Sequence, residues 1–117
     1  MNIQELIDAV REWGVSKGIT GPEGRGTLLG QLSKTQEELT ETRDAAVLYS
    51  QGQSVFSRKG KQYESKIDLI DGIGDCTVTL ILAAEMAGLR FEDCLQAAYD
   101  EIKGRTGKME NGVFIKD

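Results

Sequence analysis

Apolar residues recur at three- and four-residue intervals over most of this chain, the spacing of helices that each bury one face. Ile3, Leu6, Ile7, Val10 and Trp13 form the first such series and predict a helix from about 2 to 17, stopped by Gly18 and Gly21-Pro22. Leu28, Leu32 and Leu39 share one face of a second helix, from about 27 to 49. A polar stretch follows, from 51 to 61, carrying Arg58, Lys59 and Lys61. The third helix, from about 63 to 87, is the most apolar part of the chain and ends at Gly88. The fourth starts near Phe91, where Glu92 and Asp93 suit a helix N-terminus, and runs to about 103. Residues 104–117 are rich in glycine and charge, yet they include Val113-Phe114-Ile115, so this stretch is expected to dock on the body or on a second subunit. No alternating pattern long enough for a strand stands out. The expected architecture is all-α: four helices in one domain spanning residues 1–117.

Composition narrows the chemistry. With 39% hydrophobic and 28% charged residues in 117, the chain is long enough for a core and reads as globular. A net charge of −5 argues against a duplex nucleic-acid partner, which calls for a basic stripe, but not against a nucleotide carried by divalent cations. Histidine is absent, which excludes a Ser-His-Asp triad, a Cys-His pair and a His-ligated zinc. A general base must then be a carboxylate, lysine, tyrosine or cysteine, or the nucleophile a metal-activated water. Cys76 and Cys94 form no CxxC motif and lie in apolar helical surroundings, so both are expected to be buried, reduced thiols. The apolar run around Val78–Ala84 is bounded by Asp75 and Glu85 and is too short to span a bilayer. With no signal-like N-terminus, a cytoplasmic location without membrane attachment is expected.

Two acidic clusters remain to be explained. Glu37, Glu38 and Glu41 centre on the side of the second helix opposite its leucines, as a solvated face would. The same side becomes apolar at Ala45 and Leu48, which a face meant only for water rarely does. Asp68, Asp71 and Asp75 fall within an arc of roughly 60° on the third helix, surrounded by isoleucines, leucines and valines. Like charges aligned on a helix expected to be buried repel and lose hydration, and so call for protonation, cationic partners or a metal. Lys34 and the basic residues of 51–61 are the cationic candidates; magnesium or manganese is the metal that suits an all-carboxylate site. Gly72 and Gly74, costly inside a helix, suggest close approach of another helix or of a ligand.

The combination of Gly30-Gln31-Leu32-x-Lys34, Glu37-Glu38-Leu39-x-Glu41, Asp71-Gly72-Ile73-Gly74-Asp75, Glu92-Asp93-Cys94-Leu95 and the stretch from Glu101 to Lys116 resembles the MazG-type, all-α nucleoside triphosphate pyrophosphohydrolases. The likeness is nearest to the small single-domain forms of bacteria and their phages. It implies a four-helix bundle completed by association as a homodimer or homotetramer, with the site near the subunit contact. In that family an ExxE and an ExxD pair on antiparallel helices hold the metal ions. Glu38 and Glu41 match the first pair, Glu37 completes the motif, and Asp75 matches the last aspartate. Gly72 stands where the pattern places a carboxylate, and Asp71, four residues before Asp75 and on its face, is assigned that ligand position. Asp68 is a second-shell or alternative ligand.

The resemblance further implies Mg2+-dependent attack of water on the α-phosphorus, with Glu37 or Glu38 as base and pyrophosphate as leaving group. Lys34, together with Lys103, Arg105 or Lys108, would hold the outer phosphates. Trp13 is expected to pack in the core rather than stack on a base. The competing expectation is a non-enzymatic acidic helical module that regulates by docking a basic partner.

Overall fold

Asn2 caps the first helix. In the computed structural model, which describes residues 1–117, the Asn2 side chain accepts a hydrogen bond from the Glu5 amide at 2.8 Å, and the Glu5 carboxylate accepts one from the Asn2 amide at 3.2 Å. This reciprocal box satisfies two of the N–H groups that a helix start leaves unpaired. Helix α1 then covers Ile3–Ser16. Thr27 caps α2 (Leu28–Ser50) by accepting from the Gly30 amide at 3.1 Å. Helix α3 covers Ser65–Met86 and α4 covers Phe91–Ile102. All four expected helices are present, each end within two residues of its expected place.

The chain is not purely all-α. Residues 51–61 and the C-terminal stretch each contribute to an antiparallel hairpin: β1 (Val55–Arg58) with β2 (Lys61–Glu64), and β3 (Gly107–Glu110) with β4 (Val113–Lys116). Both turn through two residues of positive φ, Lys59-Gly60 (51° and 75°) and Asn111-Gly112 (51° and 79°). That is the type I′ geometry whose twist matches paired strands. In the first hairpin Phe56 faces Tyr63 across the ladder and their rings stack at 5.6 Å.

Helices α2 and α3 are antiparallel and form the centre of the fold. Gln31 and Thr35 of α2 meet Thr79, whereas Thr42 meets Cys76 and Gly72, so α2 numbers rise as α3 numbers fall. The contacts are small and polar. Across the seam the Thr35 and Thr79 hydroxyls pair at 2.9 Å, the Gln31 side-chain amide donates to the Thr79 carbonyl at 3.4 Å and the Thr42 hydroxyl lies 3.7 Å from Cys76 Sγ. Within their own helices Thr79 donates to the Cys76 carbonyl and Thr42 to the Glu38 carbonyl. Ala45 is buried at one end of this seam. Helix α2 therefore turns its Gln31/Thr35/Glu38/Thr42/Ala45 side to α3 and leaves Leu28, Leu32 and Leu39 facing outward. This reverses the expectation that the leucine face is the inward one.

Helix α3 is likewise not buried all round. Gly72, Thr79 and Ile81–Ala84 are covered, but Ile67, Ile70, Ile73 and Leu80 are exposed. Cys94 is exposed rather than buried, because α4 rests on α3 lightly and none of its own residues is buried. Arg11 of α1 ties this end together: its guanidinium pairs with Asp8 and Glu85 at 2.8 Å each and with Glu92 of α4. The β3–β4 hairpin extends beyond, with Met109, Val113, Phe114 and Ile115 exposed.

The accessible surface is 8722 Å2 and the radius of gyration 16.9 Å. A compact monomer of this length would expose about 6,300 Å2 and have a radius of roughly 13–14 Å. The protomer is thus more open than a compact monomer, and large apolar residues of α2, α3 and α4 such as Leu39, Ile70 and Leu95 are among those exposed. No helix is long and apolar enough to cross a membrane.

Candidate active site

The polar seam between α2 and α3 opens, at its middle, into a cleft of about 370 Å3. Glu38 and Glu41 enter it from α2, and Asp68, Asp71 and Asp75 from α3. Both acidic clusters thus face one another across the antiparallel pair. The first hairpin roofs the cleft with Arg58, Lys59 and Tyr63. The arrangement follows from local structure. Glu38 and Glu41 lie on the α2 side that Thr35, Thr42 and Ala45 hold against α3, and Asp68, Asp71 and Asp75 recur at helical spacing beside Gly72.

Gly72 marks a close contact between the two helices. It is buried, and a Cβ built on it would overlap the Thr42 hydroxyl. At this point the two helices touch, so any side chain at 72 would require Thr42 to shift, and Asp71 beside the contact reaches the cleft. Gly72→Ala is expected to destabilise the fold by about 1–3 kcal/mol through overpacking, measurable by chemical denaturation. Gly74 differs: a Cβ there meets nothing within 4 Å, so the close approach expected at both glycines exists only at Gly72 within the protomer.

The energetic premise for a metal changes with this geometry. Asp71 and Asp75 are exposed, so desolvation within one protomer does not force them to be neutralised. Two of the five carboxylates already have protein cations. Asp68 accepts from Arg58 Nη2 at 2.9 Å, and Glu38 lies 3.5 Å from Lys34 Nζ. No three of the acidic groups converge on one point. The donor set is nonetheless all oxygen, from two facing helices, which fits magnesium or manganese in ligand chemistry.

Lys34 binds Glu37 at 3.4 Å as well as Glu38. The hydrogen bond and charge of Glu37, reinforced by Glu38, raise the Lys34 ammonium above the ordinary lysine value. Its charge thus lies against both glutamates at the edge of the cleft. Glu37 itself points away from the cleft, exposed. The other basic residues expected at the site are not brought to it within the chain: Lys103 and Arg105, just past α4, pair with Asp100 and Glu101 of that helix, and Lys108 of the second hairpin pairs with Glu110.

A second groove, of about 260 Å3, continues from the cleft and shares Glu38 and Asp75 with it. Trp13, Ile19, Val78 and Leu82 make its apolar walls, and Gln31 and Lys34 its polar edge. Trp13 is 46% exposed, so it is a groove wall and not the core residue its helical spacing suggests. Thr42 and Tyr63 are cleft residues that sequence reasoning did not place. Arg58 and Lys59, by contrast, belong to the basic stretch that offers cationic partners for the aspartates, and Arg58 does pair with Asp68.

The chain matches no family model, no curated protein and no solved structure.

Proposed function

We propose that this protein hydrolyses nucleoside triphosphates to the monophosphate and pyrophosphate, using magnesium ions held in the α2–α3 cleft. The observation that carries the reading is that Glu38 and Glu41 of one helix and Asp71 and Asp75 of the other line a single cleft, with Asp68 beside them. Their likeness in order and spacing to the MazG-type pattern supports the same reading. Glu38, Glu41, Asp71 and Asp75 are the proposed metal ligands, and Asp68 an alternative one. Magnesium, or manganese in its place, would neutralise the triphosphate and lower the pKa of the attacking water.

Within that chemistry the chain has three tasks. Glu38 faces the cleft while Glu37 does not, so Glu38 is the better placed of the two to accept the proton of a water attacking the α-phosphorus. Lys34 holds Glu38 in place and presents a positive charge at the junction of cleft and groove. The groove beside Trp13 offers an aromatic face and the Gln31 amide to a base, within reach of a triphosphate lying over the carboxylates. A nucleoside triphosphate has parts that suit both spaces; inorganic polyphosphate would leave the groove unused.

Homodimers or homotetramers are part of the proposal, because the leucine face of α2 and the isoleucine face of α3 lie uncovered in the protomer. Association would also allow Lys103, Arg105 and Lys108 of one copy to approach the cleft of another. A cytoplasmic setting fits two unpaired cysteines.

Product identification tests the reading. Incubation with Mg2+ and each common ribo- and deoxyribonucleoside triphosphate is expected to release pyrophosphate and monophosphate in equal amounts. Orthophosphate as the first product would rule out α-attack. No turnover of any nucleotide would leave the acidic interaction module as the better reading.

A further inference from the structure

We propose that the β1–β2 hairpin is a phosphate clamp, in which Arg58 and Lys59 take the outer phosphates of the substrate and Arg58 leaves Asp68 to do so. The inference rests on the cleft being a triphosphate site and adds the residues that grip the phosphates.

Arg58 is held in an unusual way for a loop arginine. Its guanidinium carbon lies 5.4 Å from the Phe56 ring centre and 4.5 Å from that of Tyr63, so the plane is steadied by two stacked aromatics. Only Nη2 is engaged, by Asp68 at 2.9 Å, and Nε is buried with no partner. A guanidinium has five N–H donors in a rigid fork suited to phosphate oxygens. Lys59 follows it at the hairpin tip and lines the same cleft, with its ammonium in no ion pair that phosphate would have to displace. The type I′ turn at Lys59-Gly60 keeps both side chains at the cleft mouth.

The charges are arranged in two layers. Carboxylates from the helices form the floor, and donors from the hairpin form the roof. A lone divalent cation is attracted by the floor and repelled by the roof; a lone phosphate experiences the reverse. A complex of the two satisfies both layers. When the cation occupies the carboxylates, Asp68 has a competing partner, and the Arg58 fork is freed for phosphate oxygen without moving its aromatic support. The Arg58–Asp68 pair is then a stand-in that keeps both groups paired until substrate arrives.

Calorimetric titration with inorganic triphosphate separates this role from a structural one. The wild-type protein is expected to bind the anion with Mg2+ present and to bind it much more weakly without. Arg58→Gln and Lys59→Gln should each weaken binding of the Mg2+ complex by about tenfold or more, the usual loss for a charge-assisted bond to phosphate. Binding of Mg2+ alone should be tighter in both variants, because the roof loses a repelling charge, and tightest in Arg58→Gln, where Asp68 also loses its competing partner. Lys59 sits in a solvent-facing turn, so its variant tests the clamp even if Arg58→Gln unfolds the hairpin. Wild-type affinity for the Mg2+ complex in Lys59→Gln, or in a folded Arg58→Gln, would overturn the clamp and leave the pyrophosphohydrolase reading standing. A wild-type protein that binds neither inorganic triphosphate nor any nucleotide would overturn both.

Discussion

Glu38→Gln and Asp75→Asn are each expected to lower kcat by about three orders of magnitude or more while leaving the helical circular dichroism signal in place. Both residues line the cleft and the adjoining groove, so they stand where the triphosphate would join its nucleoside. The amide variants keep size and shape but remove the charge that binds a hard cation and, at Glu38, the group that accepts a proton. Losses of this size are typical when a group acting on the developing charge of a transition state is removed. Glu38 lies on the α2 side that faces α3, but the bonds across the seam come from Gln31, Thr35, Thr42, Cys76 and Thr79, which both amide variants leave in place. Asp71→Asn is the sharper companion. A fall comparable to that of Asp75→Asn is expected if Asp71 fills the position that Gly72 leaves empty, and full activity would show that it does not.

The second large effect concerns association. Ile70→Asp is expected to convert an oligomer to protomers in sedimentation velocity, raising the dissociation constant by about a hundredfold or more. In an isolated protomer Ile70 is 60% exposed, and a surface substitution there would alter stability by no more than about 0.5 kcal/mol. If a second copy covers the Ile67/Ile70/Ile73 stripe, the new carboxylate is buried without a partner, which costs several kcal/mol. Unchanged sedimentation would mean that this stripe is not the contact. Loss of turnover on dissociation would further indicate that the cleft depends on the neighbouring copy.

Helix boundaries were legible because their chemistry is local. Asn2 with Glu5, and Thr27 before Leu28, are caps that act within one turn. The second hairpin was legible in principle too. Asn111-Gly112 between Met109 and Val113-Phe114-Ile115 is a type I′ signal, and the surrounding glycine and charge obscured it. Lys59-Gly60 is a weaker turn signature, since a lysine with positive φ is uncommon. The orientation of α2 was not legible from periodicity. Leu28, Leu32 and Leu39 mark an apolar face correctly, but periodicity does not say whether a face meets its own chain or a second one. The seam that does form is made by threonines, an alanine and a glycine, residues that periodicity weighs lightly. The early turn of the acidic side to Ala45 and Leu48 was the surviving clue.

The site was legible in its carboxylates and in part of its cations, since Lys34 and the basic stretch 51–61 read as partners while the C-terminal cations were misplaced. Glu38, Glu41, Asp71 and Asp75 were singled out by spacing and by resemblance, and they line one cleft. Lys103, Arg105 and Lys108 follow a helix away from that cleft and pair locally. Arg58 and Lys59 arrive instead, because the chain between α2 and α3 folds back as a hairpin over the acidic seam. That placement is a tertiary fact with no periodic trace in the sequence.

Hydrolysis of a nucleoside triphosphate in 18O-labelled water, with Mg2+, tests the proposed chemistry most directly. Attack at the α-phosphorus puts the label in the nucleoside monophosphate and none in pyrophosphate, and the reaction should stop when Mg2+ is chelated. Label in pyrophosphate or orthophosphate, or no incorporation because nothing is hydrolysed, would contradict it.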